Sequence, residues 1–136
     1  MALRKTAPQR LAEREARARS ELLDSLFDAW IGGANNAATL ARLGTVDAQD
    51  PAAVAQALRA DILPPFADLT RETQTRIRAA MTVLAHGDGE EFRAYWLDLR
   101  PPFGAAEADA DAIFPVVARS LGVRLPETAT EGQART

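Results

Sequence analysis

Residues 50–66 read Asp-Pro-Ala-Ala-Val-Ala-Gln-Ala-Leu-Arg-Ala-Asp-Ile-Leu-Pro-Pro-Phe. Asp50 before Pro51 is a helix start: the carboxylate caps free N–H groups, and proline at the first helical position gives up a donor the helix does not use. Val54, Leu58 and Ile62 recur at i, i+4, i+8, one stripe of a helix that needs something to pack against. Pro64-Pro65 stops it, which predicts a helix over 51–63. The ending returns 37 residues later, where Asp98-Leu99-Arg100-Pro101-Pro102-Phe103 matches Asp61-Ile62-Leu63-Pro64-Pro65-Phe66.

A residue before proline is pushed out of the α region, so each pair of prolines predicts an abrupt turn, and the phenylalanine after it predicts a core plug. Helix termination is the plain reading of both corners. A tandem helical hairpin is the alternative, although similarity outside the corners is poor.

Upstream, nothing breaks a helix from Pro8 until Gly32-Gly33, and Leu22, Leu23, Leu26, Phe27, Trp30 and Ile31 recur at spacings of three and four. This predicts one long first helix. Its first half offers only Leu11 and alanines as apolar groups. Asn35 or Asn36 is expected to cap a short helix that Gly44 ends in a left-handed conformation. Downstream, Asp68 is expected to cap a helix with Ile77, Ala80, Met81 and Leu84 on one face, ended by His86-Gly87. Asp88 and Glu91 have capping-box spacing before Phe92, Tyr95, Trp96 and Leu99 at i, i+3, i+4, i+7, which predicts a helix over 89–100. A last helix buries Ile113, Val116, Val117 and Leu121 before Gly122, and Pro115 either kinks it or delays its start to about Phe114.

No window alternates as a half-buried strand does. The expectation is an all-α, single-domain bundle of five or six helices with no sheet. It comprises a flexible basic segment 1–7, a helical domain 8–125 and a disordered tail 126–136. One domain suits 136 residues. Apolar residues make up 47% of the chain, but many are alanine, so the larger aliphatic and aromatic groups must supply the core.

The chain has no cysteine and one histidine, which excludes a disulfide framework, a thiolate metal site and multi-histidine zinc sites. No apolar run approaches a membrane span, and the charged first twenty residues lack a secretory pattern. The expectation is a cytoplasmic protein without membrane contact or cofactor.

His86, Asp88, Glu90 and Glu91 crowd one turn. Imidazole beside carboxylates suits metal binding or proton transfer, yet each also sits where a helix end favours its charge, and capping is the preferred reading. Glu107, Asp109 and Asp111 alternate like calcium ligands, but no glycine or twelfth-position glutamate completes a loop. None of the three serines lies in a nucleophile elbow. These readings point away from an enzyme.

Charge is the remaining signal. Arg4, Lys5, Arg10, Arg14, Arg17 and Arg19 face only Glu13 and Glu15 in the first twenty residues, so that segment carries +4 and the remainder −7 of the net −3. Abundant arginine and alanine also fit a GC-rich, bacterial-like coding composition. Arg10, Arg14 and Arg17 fall on one helical face, while Glu13 with Arg17 and Glu15 with Arg19 have the spacing of supporting pairs. The leading expectation is a non-enzymatic interaction protein, a small regulatory, adaptor or inhibitory subunit. It would bind another protein or form a homodimer through its first helix, with Trp30, Tyr95 and Trp96 as anchors where they are exposed. The alternative is a nucleic-acid-binding regulator using the basic helix.

Overall fold

The computed structural model describes residues 6–31 and 37–126. The stretch 1–5, the glycine pair 32–33, the caps expected at Asn35 or Asn36 and the tail from 127 lie outside the described residues.

The chain is all-α, with no strand among the described residues. Eight helices are described rather than five or six: α1 Ala7–Leu26, α2 Asp28–Ile31, α3 Ala37–Leu43, α4 Pro51–Asp61, α5 Leu63–Asp68, α6 Arg71–Ala85, α7 Glu90–Asp98 and α8 Glu107–Ser120. The excess comes from two interruptions. The long first helix breaks at Phe27 (φ −94°, ψ 13°), which separates α1 from the four-residue α2. The break coincides with a stack of Phe27 on Trp30, centroids 5.6 Å apart.

The second interruption is the first proline corner. Pro64 and Pro65 do not force the chain out of helical geometry: they occupy the opening turn of α5, where a missing N–H costs nothing. The Phe66 N–H donates to the Ile62 carbonyl at 3.1 Å, so one helix hands over to the next. At the second corner the chain does break. Arg100 takes φ 53°, the sole positive φ outside glycine among the described residues, and Gly104 takes φ 66°. The matched hexapeptides thus adopt different backbones, which removes the local basis for a tandem hairpin. Phe66 and Phe103 are both buried, as their position after the prolines predicts.

Three caps differ from expectation. Gly44 ends α3 without a positive φ. Thr70, not Asp68, caps α6, its hydroxyl accepting the Thr73 N–H at 3.1 Å, while Asp68 closes α5. The expected capping box at Asp88 is absent: Gly89 is the N-cap residue (φ 87°), and Asp88 instead accepts the Glu90 N–H at 2.9 Å. Asp50 caps α4 as expected, through the Ala52 N–H. α8 starts at Glu107, ahead of Phe114, with Pro115 inside it. Gly122 (φ 79°) ends it, with Val123 N–H donating to Ala118 at 2.8 Å and Gly122 N–H to Arg119 at 3.0 Å, a Schellman closure. The Arg78 Nε takes up one further terminal carbonyl, that of Leu121.

The core gathers Val54, Leu58 and Ile62 of the opening stripe, Ile77 and Met81 of α6, and Ile113 and Val117 of α8 around an aromatic cluster. Phe27, Trp30, Phe92, Trp96 and Phe103 form that cluster, with edge-to-face contacts of Trp30 to Phe103 at 5.2 Å and Phe27 to Trp96 at 5.5 Å. Both indole N–H groups are satisfied at proline corners. Trp30 Nε1 donates to Asp61 Oδ2 at 2.9 Å and Trp96 Nε1 to the Gly104 carbonyl at 2.8 Å.

Gly104 is where backbone freedom matters most. A Cβ there would stand 2.7 Å from Ile113 Cδ1 and 3.0 Å from the Ala48 Cβ. Gly104→Ala is expected to cost about 2–3 kcal/mol in chemical denaturation, from overpacking plus left-handed strain. Arg100→Gly relieves the second left-handed residue but adds unfolded-state entropy, and is expected to shift stability by less than about 1 kcal/mol.

Candidate interaction surface on the first helix

α1 is nucleated by a capping box. Thr6 Oγ1 accepts the Gln9 N–H at 3.2 Å, and Gln9 Oε1 accepts the Thr6 N–H at 2.7 Å. Alanine-rich sequence carries the helix from there. What the helix buries changes abruptly along its length. From Ala7 to Ala18 every residue is exposed except the half-buried Ala16, and Leu11 stands 50% exposed; Leu23, Leu26, Phe27 and Trp30 are all inside the core. The N-terminal half is therefore an exposed helical arm, and the C-terminal half is the part that fastens it to the body.

Two polar bridges mark where arm becomes body. Arg19 donates to Glu91 through Nε at 2.7 Å and Nη2 at 2.8 Å, a bidentate pair between α1 and α7. The hydrogen-bonded pair thus forms across the helices rather than with Glu15, the expected partner along the helix, because Glu91 offers the two-point geometry that guanidinium prefers; the Glu15 charge still favours the Arg19 cation. One turn later the Tyr95 hydroxyl donates to Asp24 Oδ1 at 2.9 Å. Between these bridges lies a groove of about 380 Å³ lined by Ala16, Ser20, Leu23, Ala94, Tyr95 and Asp98, with Glu91 at the Arg19 bridge.

Arg10, Arg14 and Arg17 are all exposed on the arm. Arg14 and Arg17 make no hydrogen bond or ion pair within the described residues, so the expected Glu13–Arg17 pair does not form. The three aromatic residues are not brought to the arm's surface. Trp30 (2% exposed) and Trp96 (0%) lie in the core, and Tyr95 is half-buried with its hydroxyl engaged. Trp30 and Trp96 are thus unavailable as interface anchors in the folded chain, because the helical spacing that suggested an aromatic face is the spacing of core contacts.

The acidic turn is divided among structural partners. The His86 N–H closes α6 on the Thr82 and Val83 carbonyls, Asp88 holds the Glu90 N–H, and Glu91 faces Arg19. A cavity of about 320 Å³ beside this turn has Leu84, Phe92 and Phe114 in its wall and the Arg93–Asp111 ion pair (3.1 Å) at its edge. Among the described residues no three acidic or histidine groups converge as metal ligands. The alternating run also disperses: Asp109 accepts hydrogen bonds from the Ala106 N–H at the start of α8 and from the Gln49 side-chain amide, while Asp111 binds Arg93.

Comparison with protein-family models, curated proteins and solved structures yields no match. No helix among the described residues is long and apolar enough to cross a membrane.

Asp61 is the polar residue whose part the sequence concealed. It sits in the proline corner as an ordinary helix-terminal acid, yet receives both the Trp30 indole and the Arg42 guanidinium (Nη2 at 2.6 Å to Oδ1). Asp61→Ala leaves a buried indole N–H unpaired and is expected to cost about 2–3 kcal/mol; Arg42→Ala, which removes an exposed partner, is expected to cost under about 1 kcal/mol.

Tyr95 supplies a second test. Burial first, then the hydrogen bond to Asp24 and that carboxylate's charge, hold its phenol well above the ordinary value near 10. The folded form therefore keeps a proton that the unfolded form loses. Its contribution to stability is complete below about pH 10 and is lost as pH rises from there towards the folded-state pKa. Tyr95 is the only tyrosine, so absorbance at 295 nm reports it alone. Phenolate is expected to form only together with loss of helical circular dichroism, whereas ionisation near pH 10 in a folded chain would contradict the assigned contacts.

Proposed function

We propose that this protein is a non-enzymatic interaction module, a small regulatory or adaptor subunit working in the cytoplasm. Its body serves to hold out the first helix for a protein partner. One observation carries the reading: three turns of well-capped helix, bearing Arg10, Arg14 and Arg17, extend from a core that covers only the second half of the same helix. A helix in which propensity and one capping box must replace packing is marginal by itself. Burying it against a partner recovers what its own chain does not provide.

The charge pattern favours an acidic protein surface, because the arm mixes Glu13 and Glu15 with its arginines. Nucleic acid is the second reading, supported by the two guanidinium groups that no carboxylate of the described residues engages. The triple reversal Arg10→Glu, Arg14→Glu and Arg17→Glu separates these readings. Circular dichroism of the variant is expected to match the wild type, because the changed side chains lie outside the core. Affinity capture from cell extract, compared between wild type and variant, is expected to lose its specific protein associates on reversal. Retention of every associate would overturn the reading. Binding to duplex or single-stranded nucleic acid that falls steeply with salt and disappears on reversal would replace it with the second.

A further inference from the structure

The outward face of the first helix carries more than its three arginines. Arg10, Arg14, Arg17, Glu21, Asp24 and Asp28 follow one another at gaps of four, three, four, three and four. At 100° per residue all six fall within an arc of about 80°. Asp28 opens α2, and the helical path reaches it because Phe27 still donates to Leu23 at 2.9 Å and accepts from Ile31 at 3.1 Å. All six side chains are exposed. The face thus reads three cations followed by three anions, at the spacing of a two-helix seam.

This order opposes what a lone helix favours. A helix N-terminus stabilises anions and a C-terminus cations, yet the first turn of α1 holds no acid, its last turn no base, and Asp24 sits near its C-terminal end. The supporting contacts within the fold are also few. Arg14, Arg17, Glu21 and Asp28 form no side-chain hydrogen bond or ion pair among the described residues, and Asp24 uses one oxygen for Tyr95. The helix dipole therefore does not account for the order of the charges.

An antiparallel second copy does. Arg10 with Asp28, Arg14 with Asp24 and Arg17 with Glu21 are all centred on position 19. When two such helices lie side by side about a two-fold axis at that level, every cation meets an anion, six pairs in all. Such an interface is self-complementary, as two-fold symmetry requires. Leu11, half exposed, and Ala18 flank the seam and supply apolar surface to bury beside it.

We propose that the protein forms an antiparallel homodimer through this charge-palindromic face of α1, with Arg10, Arg14 and Arg17 of one protomer against Asp28, Asp24 and Glu21 of its partner. The proposal rests on the reading of the arm as an interaction surface and names its occupant as a second copy of this chain. Exposed ion pairs are individually weak and screened by salt. The dimer is accordingly a salt-sensitive one, with dissociation expected to strengthen at least about tenfold between low salt and about 0.5 M, where the Debye length falls to a few ångströms.

Sedimentation equilibrium on the full chain tests it through charge exchange. The variant Arg10→Glu, Arg14→Glu, Arg17→Glu makes the face wholly acidic, and Glu21→Arg, Asp24→Arg, Asp28→Arg makes it wholly basic. Each alone is expected to remain monomeric at concentrations where the wild type dimerises, and an equimolar mixture is expected to form a heterodimer. Because Asp24 also holds Tyr95, the pair Glu21→Arg, Asp28→Arg repeats the basic arm of the test with that contact intact, each variant being checked by thermal melting. A wild type that stays monomeric at about 100 µM in low salt, a single-sign variant that dimerises like wild type, or a mixture that stays monomeric would overturn the proposal. If the wild type is monomeric while charge reversal still removes a heterologous partner from extract, the second copy fails as occupant and the arm survives as an interaction surface.

Discussion

The hydrogen bond from the Trp30 indole to Asp61, made inside an aromatic cluster, decides how the remainder of the chain is arranged. An indole buried to this depth needs an acceptor, and the acceptor lies at the corner where α4 hands over to α5. The bond and the ring contacts around it fix the end of the first helix against the middle of the chain. Phe103 closes the cluster from the second corner and meets both tryptophans, at 5.2 and 5.9 Å. The proline corners act as the two ends of one aromatic clasp. Their conformations differ, because the first corner passes helix to helix while the second must turn a left-handed Arg100 and Gly104 around the Trp96 indole.

With the helix clasped at residues 23–31, the fate of its beginning follows from length. Twenty helical residues span about 30 Å, and the core that receives Leu23 and Leu26 leaves Ala7 to Ala18 exposed apart from the half-buried Ala16. Arg19 and Tyr95 mark the edge of the body with bridges to Glu91 and Asp24, beyond which the arm starts from its capping box and continues through alanine-rich helix. Strong helix formers in a region that the chain's own core does not cover are what the proposed interaction surface would require. The six charges along its outward face, three cations and then three anions, are ordered against the helix dipole, the order that the proposed antiparallel partner would complement.

Much of the fold was legible because its signals were local. The Asp50-Pro51 cap, the Val54, Leu58, Ile62 stripe, the glycine closure at 122 and the plugging role of Phe66 and Phe103 all appear in the structure. What escaped was set by tertiary contacts. Periodicity placed Trp30 and Trp96 on helical faces but could not distinguish a core face from a docking face, and burial decided for the core. Pro64-Pro65 looked identical to Pro101-Pro102, yet a proline pair serves equally to open a helix or to end one. Arg19 had an acceptable neighbour in Glu15 and took a better one 72 residues away. The Thr6–Gln9 box was readable from residue type and spacing alone, and it shows that the arm's start is specified by sequence.

The most direct measurement of this account is residue-resolved amide hydrogen exchange across the first helix, made at micromolar concentration in high salt so that self-association is suppressed. Residues 10–18 are expected to exchange orders of magnitude faster than residues 23–30, with protection rising sharply past Arg19, because only the second half is packed into the cooperative core. Protection of the arm equal to that of the clasped half would contradict the division of this helix into an exposed interaction arm and a structural anchor.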